Sequence, residues 1–131
     1  MNAIQMAHVR NDTGPDAYRV LVDRLWPRGV RTEGAPWQEW LKGVAPSASL
    51  RKWYGHDPAL FETFRVRYLA ELHKQSGSVA MLHLLDLARH RPLVLVTATR
   101  DIDMSHAPIL REFLESTLAQ EDVNGPSTPA L

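Results

Sequence analysis

The chain has 131 residues, a length suited to one domain with its own core. Hydrophobic residues make up 44% and charged residues 23%, an ordinary globular composition, and fifteen basic side chains balance fifteen acidic ones. The absence of cysteine excludes disulfides, thiolate nucleophiles, thiolate zinc sites and iron–sulfur clusters, and the lack of a basic excess argues against a dedicated nucleic-acid binder.

Met1-Asn2-Ala3-Ile4-Gln5-Met6 has neither the basic start nor the apolar run of a signal peptide. No stretch approaches the ~18 apolar residues of a membrane span. A cytoplasmic location and no membrane partner are therefore expected. In chain order, residues 3–9 read as a short edge strand, and Asn11-Asp12-Thr13-Gly14-Pro15-Asp16 as a loop of turn formers. Tyr18-Arg19-Val20-Leu21-Val22 is a β-branched run that predicts a strand. Pro27 and Gly29 interrupt regular structure after it, and Gly34 and Pro36 do so again. Trp37 to Val44 fits either a short strand or one helical turn.

Helices dominate the middle. Ser47 or Ser49 caps a helix through Tyr54, with Gly55 as its stop. Asp57-Pro58 restarts a helix, Asp at the N-cap and Pro at the first turn. Phe61, Phe64, Tyr68 and Leu72 recur at helical spacing and predict a buried face over 58–74. Ser76-Gly77-Ser78 ends that helix and caps the next, whose apolar face is expected to carry Val79, Leu82 and Leu85. Pro92 breaks the chain again. Leu93-Val94-Leu95-Val96 is continuously apolar, as in a strand covered on both faces. Ile109, Leu110, Phe113, Leu114 and Leu118 mark a last helix. The expected core includes Val20, Val22, Phe64, Tyr68, Leu82, Val94, Val96 and Leu110.

A helix between two strands implies parallel pairing. The fold predicted is thus α/β, a small mostly parallel sheet flanked by helices. It forms a single domain over residues 1–121, followed by a flexible C-terminal tail at 122–131, rich in Asn, Gly, Pro, Ser and Thr. Ligands of open α/β sheets bind beyond the carboxyl ends of the strands. Two polar segments lie there, Asp23–Gly29 and Thr97–His106. If their strands are parallel neighbours, both segments meet at one edge.

The residues in those segments define the candidate site. Arg24, Arg28 and Arg100 offer forked donors suited to phosphate or carboxylate. Trp26 is either a stacking platform or core. Asp23, His56 and Asp101 are candidates for proton handling, His56 because histidine titrates near neutrality. Asp57 is explained by its cap. Asp101, Asp103 and His106 match no strong metal motif, so no metal is assigned. His73, His83 and His90 sit on or at the ends of helices without a partner pattern. Arg51-Lys52 beside Trp53 reads as a solvated helix face, with a nucleic-acid contact as the alternative. There is no Gly-rich phosphate loop, nucleophile elbow or zinc-protease helix, and no cofactor is expected.

Several strings resemble the YeaO-like proteins, a bacterial family built on domain of unknown function 488. They are Tyr18-Arg19-Val20-Leu21-Val22-Asp23-Arg24-Leu25-Trp26-Pro27-Arg28-Gly29, Trp40-Leu41-Lys42 with Ala45-Pro46-Ser47, and Leu50-Arg51-Lys52-Trp53-Tyr54-Gly55-His56-Asp57-Pro58. Phe64, Arg67-Tyr68, Glu71-Leu72, Arg100-Asp101 and Ala107 match as well, and the resemblance covers roughly residues 3–118. It implies the fold and candidate positions but no reaction. Met104-Ser105 stands where the family usually has a His-Asn pair, so that pair's side-chain role is not carried over. Two functions follow as expectations. One is an enzyme acting on a small phosphate-bearing anion through the Arg/Asp cluster. The other is a non-catalytic binding module for nucleic acid or a regulatory anion. The sequence leaves the oligomeric state open.

Overall fold

The computed structural model describes residues 3–11 and 17–124. Most of the loop expected at 11–16, and the tail beyond 124, lie outside the described residues. Four strands, β1 (Ile4–His8), β2 (Tyr18–Leu21), β3 (Glu39–Trp40) and β4 (Leu93–Thr97), form one sheet in the order β1-β4-β2-β3. All three pairings are parallel. β4 is central, and every one of its residues is buried, as a continuously apolar strand requires.

Four α-helices follow local signals: α1 (Ala48–Tyr54), α2 (Phe61–Lys74), α3 (Val79–His90) and α4 (Ala107–Asn124). Ser47 caps α1 by accepting from the Leu50 N–H, and Gly55 closes it in the left-handed conformation, φ 53°. Asp57 accepts from the Ala59 N–H and opens a 3-10 turn, Pro58–Leu60, that leads into α2. Ser78 caps α3 through the Met81 N–H. The segment 37–44, ambiguous in sequence, contains both of its alternatives: β3, then a 3-10 turn at Lys42–Val44. α4 runs to Asn124, past the boundary expected at residue 121.

The two sheet faces are packed differently. Val20, Val22, Leu93 and Leu95 belong to a core shared with the helices, including Phe64, Tyr68, Leu72, Leu84 and Leu110. Leu21, Val94 and Val96 point into a smaller cluster closed by Trp37 and flanked by Trp26, Val30 and Ala35, all from the irregular segment between β2 and β3. Seven of the eight residues expected in the core are buried, and Leu82 is the exception. Val79 is 86% and Leu82 53% exposed. The buried stripe of α3 keeps Leu85 of the expected face and otherwise consists of Met81, Leu84, Leu87 and Ala88. Val79 and Leu82 share one arc of the helix with His83, Asp86, Arg89 and His90, and the wholly apolar arc opposite turns inward.

Among the described residues, no helix is long and apolar enough to cross a membrane.

A cleft at the carboxyl edge of the sheet

Because β2 and β4 are parallel neighbours, their carboxyl ends emerge side by side. The polar segments that follow are stitched together there. The Asp23 Oδ2 accepts the Ala98 N–H at 2.8 Å across 75 residues of sequence. Thr97 Oγ1 accepts the Thr99 N–H at 3.1 Å and turns the chain as β4 ends. Trp40 Nε1 donates to the Asp23 carbonyl at 2.7 Å, and Trp26 Nε1 donates to the Val30 carbonyl at 2.6 Å. The rings of Trp37 and Trp40 meet Trp26 edge-on, with centroids 5.0 Å and 5.4 Å away.

Over this edge opens a cleft of about 570 Å³, within the size range of small-molecule sites. Its walls include Asp23, Arg24, Trp26, Arg51, Tyr54, His56, Arg100, Asp101 and His106. Six of the seven candidate site residues therefore line one cavity: Asp23, Arg24, Trp26, His56, Arg100 and Asp101. Arg28 is exposed and is not part of the lining. Trp26 is half-buried, at once a member of the tryptophan cluster and a wall of the cleft.

The charged groups are held in different ways. Arg24 is braced by backbone, Nε donating to the Pro46 carbonyl at 2.9 Å and Nη2 to the Ala45 carbonyl at 3.3 Å. Arg51 on α1 and Arg100 after β4 are exposed. Among the described residues, no carboxylate lies within 4.0 Å of the guanidinium of Arg24, Arg51 or Arg100. Asp101 is exposed and precedes the 3-10 turn Ile102–Met104 without a side-chain capping bond. His56 has φ 59°, a left-handed value uncommon outside glycine, Asn, Asp and His.

Deeper in the cleft, His106 sits at the head of α4. Its Nε2 is 2.9 Å from the Val22 carbonyl and 3.5 Å from Asp23 Oδ1, and the side chains of His106 and Asp23 are only 10% and 15% exposed. Burial pulls the imidazole below its ordinary range, against the opposing attraction of Asp23. Tyr54 donates its hydroxyl to the Met104 carbonyl at 2.6 Å, and its pKa is raised by burial and then by Asp101 and Asp57. Ser105 Oγ donates to the Ile102 carbonyl at 2.6 Å and accepts the Ala107 N–H at 3.1 Å. The Met104-Ser105 pair thus contributes a carbonyl and a hydroxyl to local structure.

Sequence reasoning gave His106 only as one of three possible metal ligands, and Arg51 only as a solvated or nucleic-acid-facing residue. The His106 ring is turned to Val22 and Asp23. Among the described residues, no group of three or more His, Cys, Asp or Glu side chains is placed to hold a metal ion. The hint for Arg51 was its place inside the matched string that runs from Leu50 to Pro58. Nothing local marks His106 as a partner of Asp23.

Fold and cleft together define a small parallel α/β domain with a ligand-sized cavity at the carboxyl edge of its sheet. The profile of the inactive DUF488-N3 subclade matches residues 3–131, and the chain belongs to this YeaO-like DUF488 family. It is 43% identical to the uncharacterized protein Rv3073c of Mycobacterium tuberculosis over 112 residues, covering 85% of this chain and 92% of that one. It is also 41% identical to the uncharacterized protein YeaO of Escherichia coli over 103 residues, covering 77% of this chain and 86% of YeaO. No solved structure matches the chain significantly.

Proposed function

We propose that the cleft binds a small, phosphate-bearing anion without transforming it. The observation that carries this reading is the set of three arginines, Arg24, Arg51 and Arg100, around one cavity, with no carboxylate partner among the described residues. Guanidinium forks suit phosphate and carboxylate oxygens, and a concave, partly desolvated site strengthens each such contact. The cavity is sized for a small molecule rather than a nucleic-acid duplex.

Binding is favoured over catalysis for two reasons. The family profile is described as an inactive subclade. The most buried acid and base of the cleft, Asp23 Oδ2 and His106 Nε2, hold backbone groups, Ala98 N–H and the Val22 carbonyl respectively. On this reading Asp23 positions the strand ends, while His56 and Asp101 belong to the rim.

Isothermal titration with inorganic phosphate and phosphate monoesters tests the proposal, with wild type and an Arg51→Ala/Arg100→Ala double variant in parallel. Saturable binding that the double variant abolishes supports it. Binding that survives both substitutions, or consumption of the ester by wild-type protein, overturns it.

A further inference from the structure

The environment of His106 narrows the ligand class, given the reading of the cleft as an anion site. A backbone carbonyl only accepts, so the imidazole nitrogen 2.9 Å from the Val22 oxygen must carry a proton. Asp23 Oδ1, 3.5 Å from the same Nε2, reinforces that tautomer. The carboxylate is itself anchored through Oδ2 to the Ala98 N–H. Neutral His106 therefore has a bare lone pair at Nδ1. Among the described residues Nδ1 makes no hydrogen bond. Asp23 Oδ1 is also the sole fully enclosed, unpartnered side-chain nitrogen or oxygen among them. Nδ1 is thus not fully enclosed, on a residue that lines the cleft.

We infer that His106 Nδ1 is a built-in acceptor for a hydroxyl of the bound ligand. The ligand is accordingly a phosphate ester that also carries a free hydroxyl, such as a sugar phosphate, and not phosphate alone. The anion lies against Arg51 and Arg100, while the hydroxyl donates to His106. Burial favours the neutral ring that this role needs. The Val22 and Asp23 contacts hold its orientation before any ligand arrives, so little ordering is required on binding.

Calorimetric titration with ribose 5-phosphate and with methyl phosphate, which has no hydroxyl, tests the inference. Wild type is expected to bind ribose 5-phosphate about tenfold more tightly, the scale of one net hydrogen bond. In His106→Gln the amide still reaches toward the Val22 carbonyl, but the acceptor at Nδ1 is gone. That variant should bind both esters with the weaker affinity, whereas Arg51→Ala should weaken both together. Equal wild-type affinities, or an unaltered preference in His106→Gln, overturn the inference and leave the anion site standing. Failure of both esters to bind wild type overturns the anion site itself. A measurement free of folding effects is imidazole nitrogen-15 resonance of the wild-type protein. Nδ1 should be the unprotonated nitrogen and should move with ribose 5-phosphate much more than with methyl phosphate. A protonated Nδ1 in the neutral ring would contradict the assignment.

Discussion

On the outer helical surface, Arg65 of α2 meets Glu112 of α4 through two donors, and Arg89 of α3 meets Glu121 of α4 in the same forked manner. At the carboxyl edge of the sheet, Arg24, Arg51 and Arg100 surround a cavity and have no carboxylate partner among the described residues. The first arrangement joins two elements that are already packed, and its charges are half-solvated and screened. In the second, Arg51 and Arg100 bring forked donors to a concavity, while Arg24 beside them is braced by the Pro46 and Ala45 carbonyls. The difference separates arginines that fasten helices from arginines that await an anion.

Replacing the cleft arginines should break this contrast most visibly. Arg51→Ala or Arg100→Ala should each weaken phosphate-ester binding by about 1.5–3 kcal/mol, the scale of hydrogen bonds to a charged group. Thermal stability should hardly change, because both side chains are exposed. Calorimetry and thermal unfolding on the same samples check both halves.

Asp23→Ala should show the opposite profile in stability. It removes the acceptor of the Ala98 N–H and the carboxylate beside His106. Stranding that half-buried donor costs about 1–3 kcal/mol, so the Tm should fall by several degrees. Asp23→Asn keeps an acceptor and should recover most of the loss.

Acid should act on the same pair. Burial depresses the His106 pKa in the folded chain, so below ~6.5 the unfolded chain takes up a proton that the folded chain resists. The contribution is complete above that pH, declines as pH falls toward the folded value, and levels off beneath it. Its slope is at most about 1.4 kcal/mol per pH unit for one proton. Denaturant midpoints at pH 7 and pH 5 should differ less in His106→Gln than in wild type. An identical acid response would show that another group controls it.

Arg65→Ala and Arg89→Ala should have the smallest effect. Each pair is substantially exposed and contributes about 0.2–1 kcal/mol. Anion affinity should be unchanged, and a matching loss of binding would erase the distinction between the two sets of arginines.

The legible parts of this molecule carried their signals locally. Ser47 and Gly55 bound α1, Asp57-Pro58 opens the next turn, and Leu93–Val96 announces a strand buried on both faces. The strand-end rule gathered Asp23, Arg24, Trp26, Arg100 and Asp101 because β2 and β4 are parallel neighbours. Tertiary choices were not legible. Val79 and Leu82 look like core from their spacing alone, yet they share an arc with His83, Asp86 and Arg89, and α3 turns Met81, Leu84 and Ala88 inward. Where α3 begins, Ala80 packs so close to Gly43 that a Cβ there would meet it at 3.1 Å. The second face of the sheet is covered by an irregular segment containing Trp26 and Trp37, which has no period to read. Arg51 and His106 reach the cleft from α1 and the head of α4, and the approach of His106 to Asp23 is set by packing.

Side-chain nuclear magnetic resonance of the arginine Nε–H groups during a ribose 5-phosphate titration tests the central claim most directly. The resonances of Arg51 and Arg100 should shift together and saturate at one affinity, while those of Arg65 and Arg89 stay still. Unmoved cleft arginines at saturating ester, or shifts centred on the α2–α4 surface, would contradict the account.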